Sequence, residues 1–292
     1  MASAGRGWLV GCSIFLVLLV TGGAILVLTA LLVSEEELAL PRRGPKVAVV
    51  EVFGILGEDD DVLDQLDRFE NESSIEALVL HINSSGGAVG TVQRILARLE
   101  DFEGMPIVAA LDNVAASGGY YVATAADSIF ALPGTVTGSI GVIASFPDFS
   151  ALMKKVGVDF QVVKTGPQKD AGAPYRTLTA DERKWIQTVL DDVADQFMTA
   201  VAGSRGLEIE AVRAMADGRI FSGRMAMESG LVDRLGGLEE AIEVAAAMAK
   251  IEGEPVVIRK HLRRPLWERL IEGRLGGVPI LRHGPLLEYR WR

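Results

Sequence analysis

Apolar residues follow three different patterns along this chain. The first is continuous: from Trp8 to Val33 no residue is charged and nearly all are apolar or small. A spanning helix needs roughly 20 such residues, whereas the apolar core of a cleavable leader holds only about 7–15. The block therefore predicts a retained transmembrane helix over residues 9–33, with cleavage as the competing outcome. Arg6 precedes it and Glu35, Glu36 and Glu37 follow, which puts residues 1–8 in the cytoplasm and the rest of the chain outside it. Leu9-Val10-Gly11-Cys12 looks like a lipoprotein processing box, but the apolar core follows the cysteine instead of preceding it, so Cys12 reads as a small residue of the span. Residues 34–45, acidic and then proline-punctuated, form a linker.

The second pattern is the short apolar run. Lys46 to Val52, Ala77 to Ile82 and Ile107 to Leu111 each predict a strand, and the near-continuous hydrophobicity of the latter two suits strands buried on both faces. Phe160 to Lys164 predicts a fourth. The third pattern has helical spacing: Leu63, Leu66 and Phe69; then Val92, Ile95, Leu96 and Leu99; then Trp185 through Val201. Thr179-Ala180-Asp181-Glu182 is a capping box opening that last helix, whose apolar stripe is expected to pack on the core. Gly236-Gly237 precedes an alanine-rich helix from Leu238 to Ala249. Strand, glycine turn and helix alternate, so the fold class is α/β.

Composition narrows the chemistry. A formal net charge of −10 argues against a nucleic-acid partner. With one cysteine and three histidines there is neither an internal disulfide nor a zinc-site spacing, and no cofactor is expected. The candidate chemistry lies in two glycine turns. Ser117 sits in Ala115-Ala116-Ser117-Gly118-Gly119, directly after the third strand, where the Gly118 amide heads a helix and can face an oxyanion. Gly86-Gly87 forms a second turn after the neighbouring strand, where a backbone amide can approach a carbonyl without a Cβ in the way. The Gly-x-Ser-x-Gly elbow is absent, since Ala115 holds its first position, and the Ser84–Gly90 turn lacks the Lys-Ser/Thr end of a P-loop. For a base, His81 lies inside a buried strand while His261 and His283 fall in the basic tail. A lysine remains as candidate, and Lys169 follows the Gly166-Pro167 turn.

Five ordered motifs now bear on the same question. Asn83 to Gly87, Val114 to Tyr121, Thr137 to Ile143, Lys164 to Asp170, and Asp217 to Gly223 with Gly230 to Asp233 together resemble the signal peptide peptidase A family. The resemblance covers roughly Val47 to Ala249. It implies a fold like that of the Clp protease and crotonase superfamily, built from repeated ββα units, for a protease domain spanning residues 46–254. By this resemblance Ser117 is the nucleophile, Lys169 the general base, Ser139 a serine that orients the lysine, and Gly86 and Gly118 the oxyanion hole. Ser85 departs from the family, which usually has proline there. An ordinary lysine has a pKa near 10.4, so only about 0.04% is neutral at pH 7. A working base needs that value brought down towards 7, a difference of about 4 kcal/mol that burial can supply.

The resemblance also implies peptide substrates, apolar signal peptide remnants above all, a homo-oligomer whose active sites are shared between protomers, and a single-pass location in the cell (inner) membrane. Two other functions would fit a similar fold: a crotonase-like acyl-CoA enzyme, which would not need Ser117 or Lys169, and a catalytically silent membrane scaffold. Residues 255–292 form a basic tail in which Leu266, Trp267, Leu270 and Ile271 share a helical face beside Arg263, Arg264, Arg269 and Arg274. It is open between a passive extension, an element binding anionic lipid, and a substrate mimic at Val278 to Leu281.

Overall fold

The computed structural model describes residues 21–23, 44–57, 61–259 and the backbone of 288–290. The expected span (9–33), most of the linker, and the tail segments proposed for lipid binding or mimicry lie outside those residues, apart from the helical 21–23. No helix among the described residues is long and apolar enough to cross a membrane. From Gly44 onward the described residues form one compact unit.

Its centre is a sheet in the order β6-β5-β3-β2-β1-β8. Strands β1 (Lys46–Leu56), β2 (Ile75–Ala88) and β3 (Ile107–Ala116) are parallel, and β8 (Val256–Arg259) adds in parallel to the far edge of β1, so the sheet extends past residue 254. The far edge of β3 is shared by β4 (Ser128–Ala131) and then β5 (Val136–Gly138). β6 (Ile220–Ser222) pairs antiparallel with β5, and β7 (Arg234–Leu235) in parallel with β4. A parallel sheet needs cover on both faces, and the side-chain alternation supplies apolar residues to each. Leu78, Leu80 and Ile82 point to the larger core, formed with α1 (Asp61–Glu70), α2 (Val89–Glu100), α3 (Gly118–Ala123) and α5 (Ala180–Arg205). Ala77 and Val79 point to the other face, covered by Ala241, Ile242, Ala245 and Ala246 of α8 (Leu238–Met248). The short helices α4 (Ser150–Val156), α6 (Ile209–Met215) and α7 (Gly223–Glu228) complete the unit. The architecture is the mixed α/β fold expected of a Clp protease-like domain.

Three local expectations are corrected. β2 does not end before the glycines: it runs on to Ala88 through a bulge opposite Gly54/Ile55, because Gly86 takes φ +95° and lets the pairing with β1 continue. Phe160 to Lys164 has the sequence of a strand but forms none, since nothing in the described chain pairs with it; Phe160, Val162 and Val163 stay exposed. On α5 only the second half serves the core. Val193, Phe197 and Val201 are buried, and Phe197 stacks on Tyr121 of α3 at 4.3 Å, whereas Trp185 and Val189 project into solvent.

Candidate active site

The site grows from the place where β3 stops. Ser117 has φ +53° and ψ −119°, and α3 starts at the next residue. Its amide donates to the Gly138 carbonyl at 2.7 Å, and its carbonyl accepts from the Tyr121 amide at 2.8 Å, so β5 and α3 together hold the bend. Ser139, the residue after β5, repeats the feature with φ +51°, its amide donating to Arg219 O at 2.9 Å. A non-glycine residue held in such a conformation costs about 1–3 kcal/mol and persists only where surrounding structure over-determines it. Here the determinants are explicit. Gly138 pairs with Ala116, the Thr137 hydroxyl donates to Ala115 O at 2.7 Å, and Gly138 itself (φ +77°) lies so close to the Phe221 ring that a Cβ would come within 2.5 Å of it.

Ser117 and Ser139 are both buried, yet both line one cavity of about 440 Å³ whose apolar walls come from Val142, Ile143, Leu190, Ala194 and Ala216. Two carboxylates reach its edge. Asp217 is held down to about 2 by the hydrogen bonds from Arg219, and Asp191 accepts from Gln187 at 2.7 Å. Among the described lining residues there is no histidine and no lysine.

The two glycine turns do meet. Ser84 pairs with Ala115, and Gly119 packs on the Ser84 carbonyl so closely that a Cβ would sit 2.6 Å from its oxygen. The Gly118 amide heads α3, where the first amides have no intrahelical acceptor. The Gly86 amide, by contrast, has a partner: it donates to Ser84 Oγ at 3.0 Å, and that hydroxyl donates onward to Gly54 O at 2.6 Å. The sequence had given no sign of this relay. Beyond Ser84, β3 turns away while β1 still pairs with Gly86 and Gly87, which leaves the β3-side edge of β2 open. There β9 (Glu288–Arg290) runs antiparallel, opposite Gly86, Gly87 and Ala88, and close to α3.

Lys169 stands elsewhere. It is exposed, in a loop whose turn is closed by its own amide donating to Gly166 O at 3.2 Å, and it does not line the Ser117 cavity. The next residue, Asp170, is tightly held by Arg176, Lys164 and Tyr175. His81 alternates with Ser84 along β2 and points to the α8 face, with Asp112 at 3.6 Å and the Phe53 ring edge-on at 5.0 Å. Burial pushes its pKa down, only partly offset by Asp112, and its Nδ1 is buried without a partner. It offers no proton path to Ser117.

A family model described as peptidase family S49 matches residues 100–252, the stretch that carries Ser117, Ser139 and Lys169. Over 78% of the chain, a Synechocystis protein that carries the provisional name of a protease is 41% identical, across 83% of its own length. An Enterococcus faecium protein provisionally named signal peptide peptidase SppA is 32% identical over 78% of this chain and 71% of its own. The chloroplastic serine protease SPPA of Arabidopsis thaliana is 30% identical over 80% of this chain and 35% of its own.

The chain belongs to peptidase family S49. It is a serine peptidase of the signal peptide peptidase A kind. The family places the chain among peptidases and not among acyl-CoA enzymes.

Proposed function

We propose that the protein is a membrane-anchored endopeptidase whose nucleophile is Ser117 and whose general base is Lys169 of a neighbouring copy. The observation that carries this reading is the cavity shared by Ser117 and Ser139, both in left-handed backbone, with no lysine or histidine of the described chain beside them. In this reading the base arrives from a neighbouring subunit, as a lysine paired with the serine. The exposed apolar residues support such an assembly: Ile143, Phe149, Leu152, Phe160, Val162 and Val163 are solvent-facing in a single copy, and the strand-like Phe160–Lys164 has no strand partner among the described residues.

In this mechanism an extended peptide lies antiparallel to Gly86–Ala88, the edge that β9 occupies, with apolar side chains entering the cavity. Neutral Lys169 takes the proton from Ser117 Oγ as the oxygen attacks the scissile carbonyl carbon, and Ser139 orients the amine. The oxyanion is held by the amides of Gly118 and Gly86, the latter exchanging its bond to Ser84 Oγ for the substrate. The lysine ammonium returns its proton to the departing amine, and water, activated by the same lysine, hydrolyses the acyl-enzyme. Substrates are extended apolar peptides, including signal peptide remnants, delivered near the active site by the span over residues 9–33.

The test is peptide hydrolysis by Ser117→Ala, Lys169→Ala and their mixture. Each variant alone should lose activity, and exchange of subunits between the two should restore part of it. Activity in Lys169→Ala, or no recovery despite demonstrated exchange, would overturn the shared site. Membrane sedimentation of the full chain, lost when residues 1–43 are removed, tests the anchor.

A further inference from the structure

The base assigned to Lys169 has to be delivered to a serine on another copy, yet among the described residues its own ammonium makes no hydrogen bond or ion pair. Its direction is therefore set by the turn that carries it. Three backbone bonds shape that turn: Lys169 N to Gly166 O at 3.2 Å, Ala171 N to Gln168 O at 3.1 Å and Ala173 N to Asp170 O at 3.1 Å. Such turns are soft by themselves, and Pro167, Gln168 and Lys169 are exposed.

The residue adjoining Lys169 is held much more firmly. Arg176 donates to the Asp170 carboxylate from Nε at 3.0 Å and from Nη2 at 2.5 Å, and to the Asp170 main-chain carbonyl from Nη2 at 3.0 Å. The other side of the same guanidinium grips Glu182, with Nη1 at 2.8 Å and Nη2 at 2.5 Å from its carboxylate oxygens. Glu182 is buried and accepts in addition from the Thr179 amide at 2.9 Å, while its own amide donates to the Thr179 hydroxyl, closing the capping box that starts α5. One turn after another, α5 leads from this point into the core at Val193 and Phe197. An isolated ion pair in water contributes little, but a planar guanidinium shared by two carboxylates, one of them buried, fixes geometry in a way a single flexible pair does not.

We propose that Arg176 is a positioning residue for the reaction: by clamping Asp170 to Glu182 it anchors the Gly166–Ala171 turn to the head of α5 and so aims Lys169 at the serine of a second copy. The proposal rests on Lys169 being the base. The charged and titratable groups around the turn are Lys164, Asp170, Tyr175 and Arg176 from the loop, Lys154 of α4, Asp148 and Asp159 on the chain flanking that helix, and Glu182 of α5. Arg176 is the member that joins loop to helix.

The experiment compares Arg176→Gln, Arg176→Lys, Glu182→Gln and Lys169→Ala in the full-length protein, with assembly checked by sedimentation and a soluble peptide as substrate. Arg176→Gln should lower kcat by about 10- to 100-fold with KM changed less than about threefold, because a misaimed base slows chemistry without touching the substrate cavity. Losing the cation paired with Asp170, the residue next to the base, should also move the pH midpoint of kcat upward. Arg176→Lys retains the charge but not the fork, so kcat falls while the midpoint stays. Glu182→Gln keeps the capping box and should lose about 3- to 10-fold in kcat, which provides a second reading should Arg176→Gln fail to assemble. Wild-type kcat and pH midpoint in assembled Arg176→Gln or Glu182→Gln, with Lys169→Ala inactive, would overturn the clamp alone. Full activity in Lys169→Ala would overturn the base first and the clamp with it.

Discussion

Gly119→Ala places a single methyl between the two turns that build the site. The added Cβ would stand 2.6 Å from the Ser84 carbonyl oxygen, about 0.8 Å short of the 3.4 Å at which ordinary contact begins. Ser84 cannot yield as a side chain would, because the clashing atom is backbone of β2, paired with Gly54 on one side and Ala115 on the other. The backbone angle at Gly119 is not itself in the left-handed region, so the cost is steric and not conformational. Overpacking of this kind costs about 1–3 kcal/mol, offset by up to about 1 kcal/mol from alanine's better helix propensity. The net loss of about 0–3 kcal/mol corresponds to a Tm lowered by up to about 12 °C in a domain of this size. The catalytic effect should be larger than the stability effect. Displacing the Ser117–Gly118 bend from the Gly86 turn by most of an ångström should cost about 100-fold in kcat/KM. The assay is peptide hydrolysis beside thermal unfolding, with Ser117 labelling by a fluorophosphonate as a third measure. A Gly119→Ala protein with lowered Tm and wild-type kcat/KM would show that catalysis does not depend on contact between the turns.

Three further outcomes follow from single features. Gly203 lies exposed inside α5 with open space around its Cβ position, so Gly203→Ala should raise stability by about 1 kcal/mol in a denaturant titration and leave activity unchanged; no gain would refute the helix-interior reading. Glu182 is held down to about 2, first by Arg176 and then by the Thr179 amide, so its contribution is complete above its ordinary value of 4.5 and is lost as the pH falls through about 2. Emission from Trp185, three residues further along α5, should accordingly hold steady to about pH 4 and change towards pH 2; a transition centred between pH 4 and 5 would contradict the clamp's electrostatics. Removing residues 260–292 takes away β9 and with it the occupant of the Gly86–Ala88 edge, so peptide turnover should rise, by up to about 10-fold if two backbone hydrogen bonds are released. Unchanged turnover would mean that β9 does not compete with substrate.

Local chemistry was legible in the residues. The β-branched run at Lys46–Val52 and the apolar run at Ala77–Ile82 each become a central strand, since short, near-continuous apolar runs suit a parallel sheet buried on both faces. Thr179 and Glu182 close their capping box within four residues, where the bonding partners are sequence neighbours. The serine-glycine turn at Ser117 announces itself for the same reason: a bend after a strand is a local event. What required the tertiary structure involves groups that sequence cannot pair. β2 continues through Gly86 because β1 follows it across a bulge, and Phe160–Lys164 forms no strand among the described residues because a strand exists only when a second chain segment meets its edge. The hold of Ser84 on the Gly86 amide, the grip of Arg176 on Asp170 and Glu182, and the distance of Lys169 from the Ser117 cavity all depend on side chains meeting across elements. Periodicity and propensity describe how one segment buries itself, whereas the direction of a hydrogen bond is decided by whichever neighbour the packed fold brings within reach.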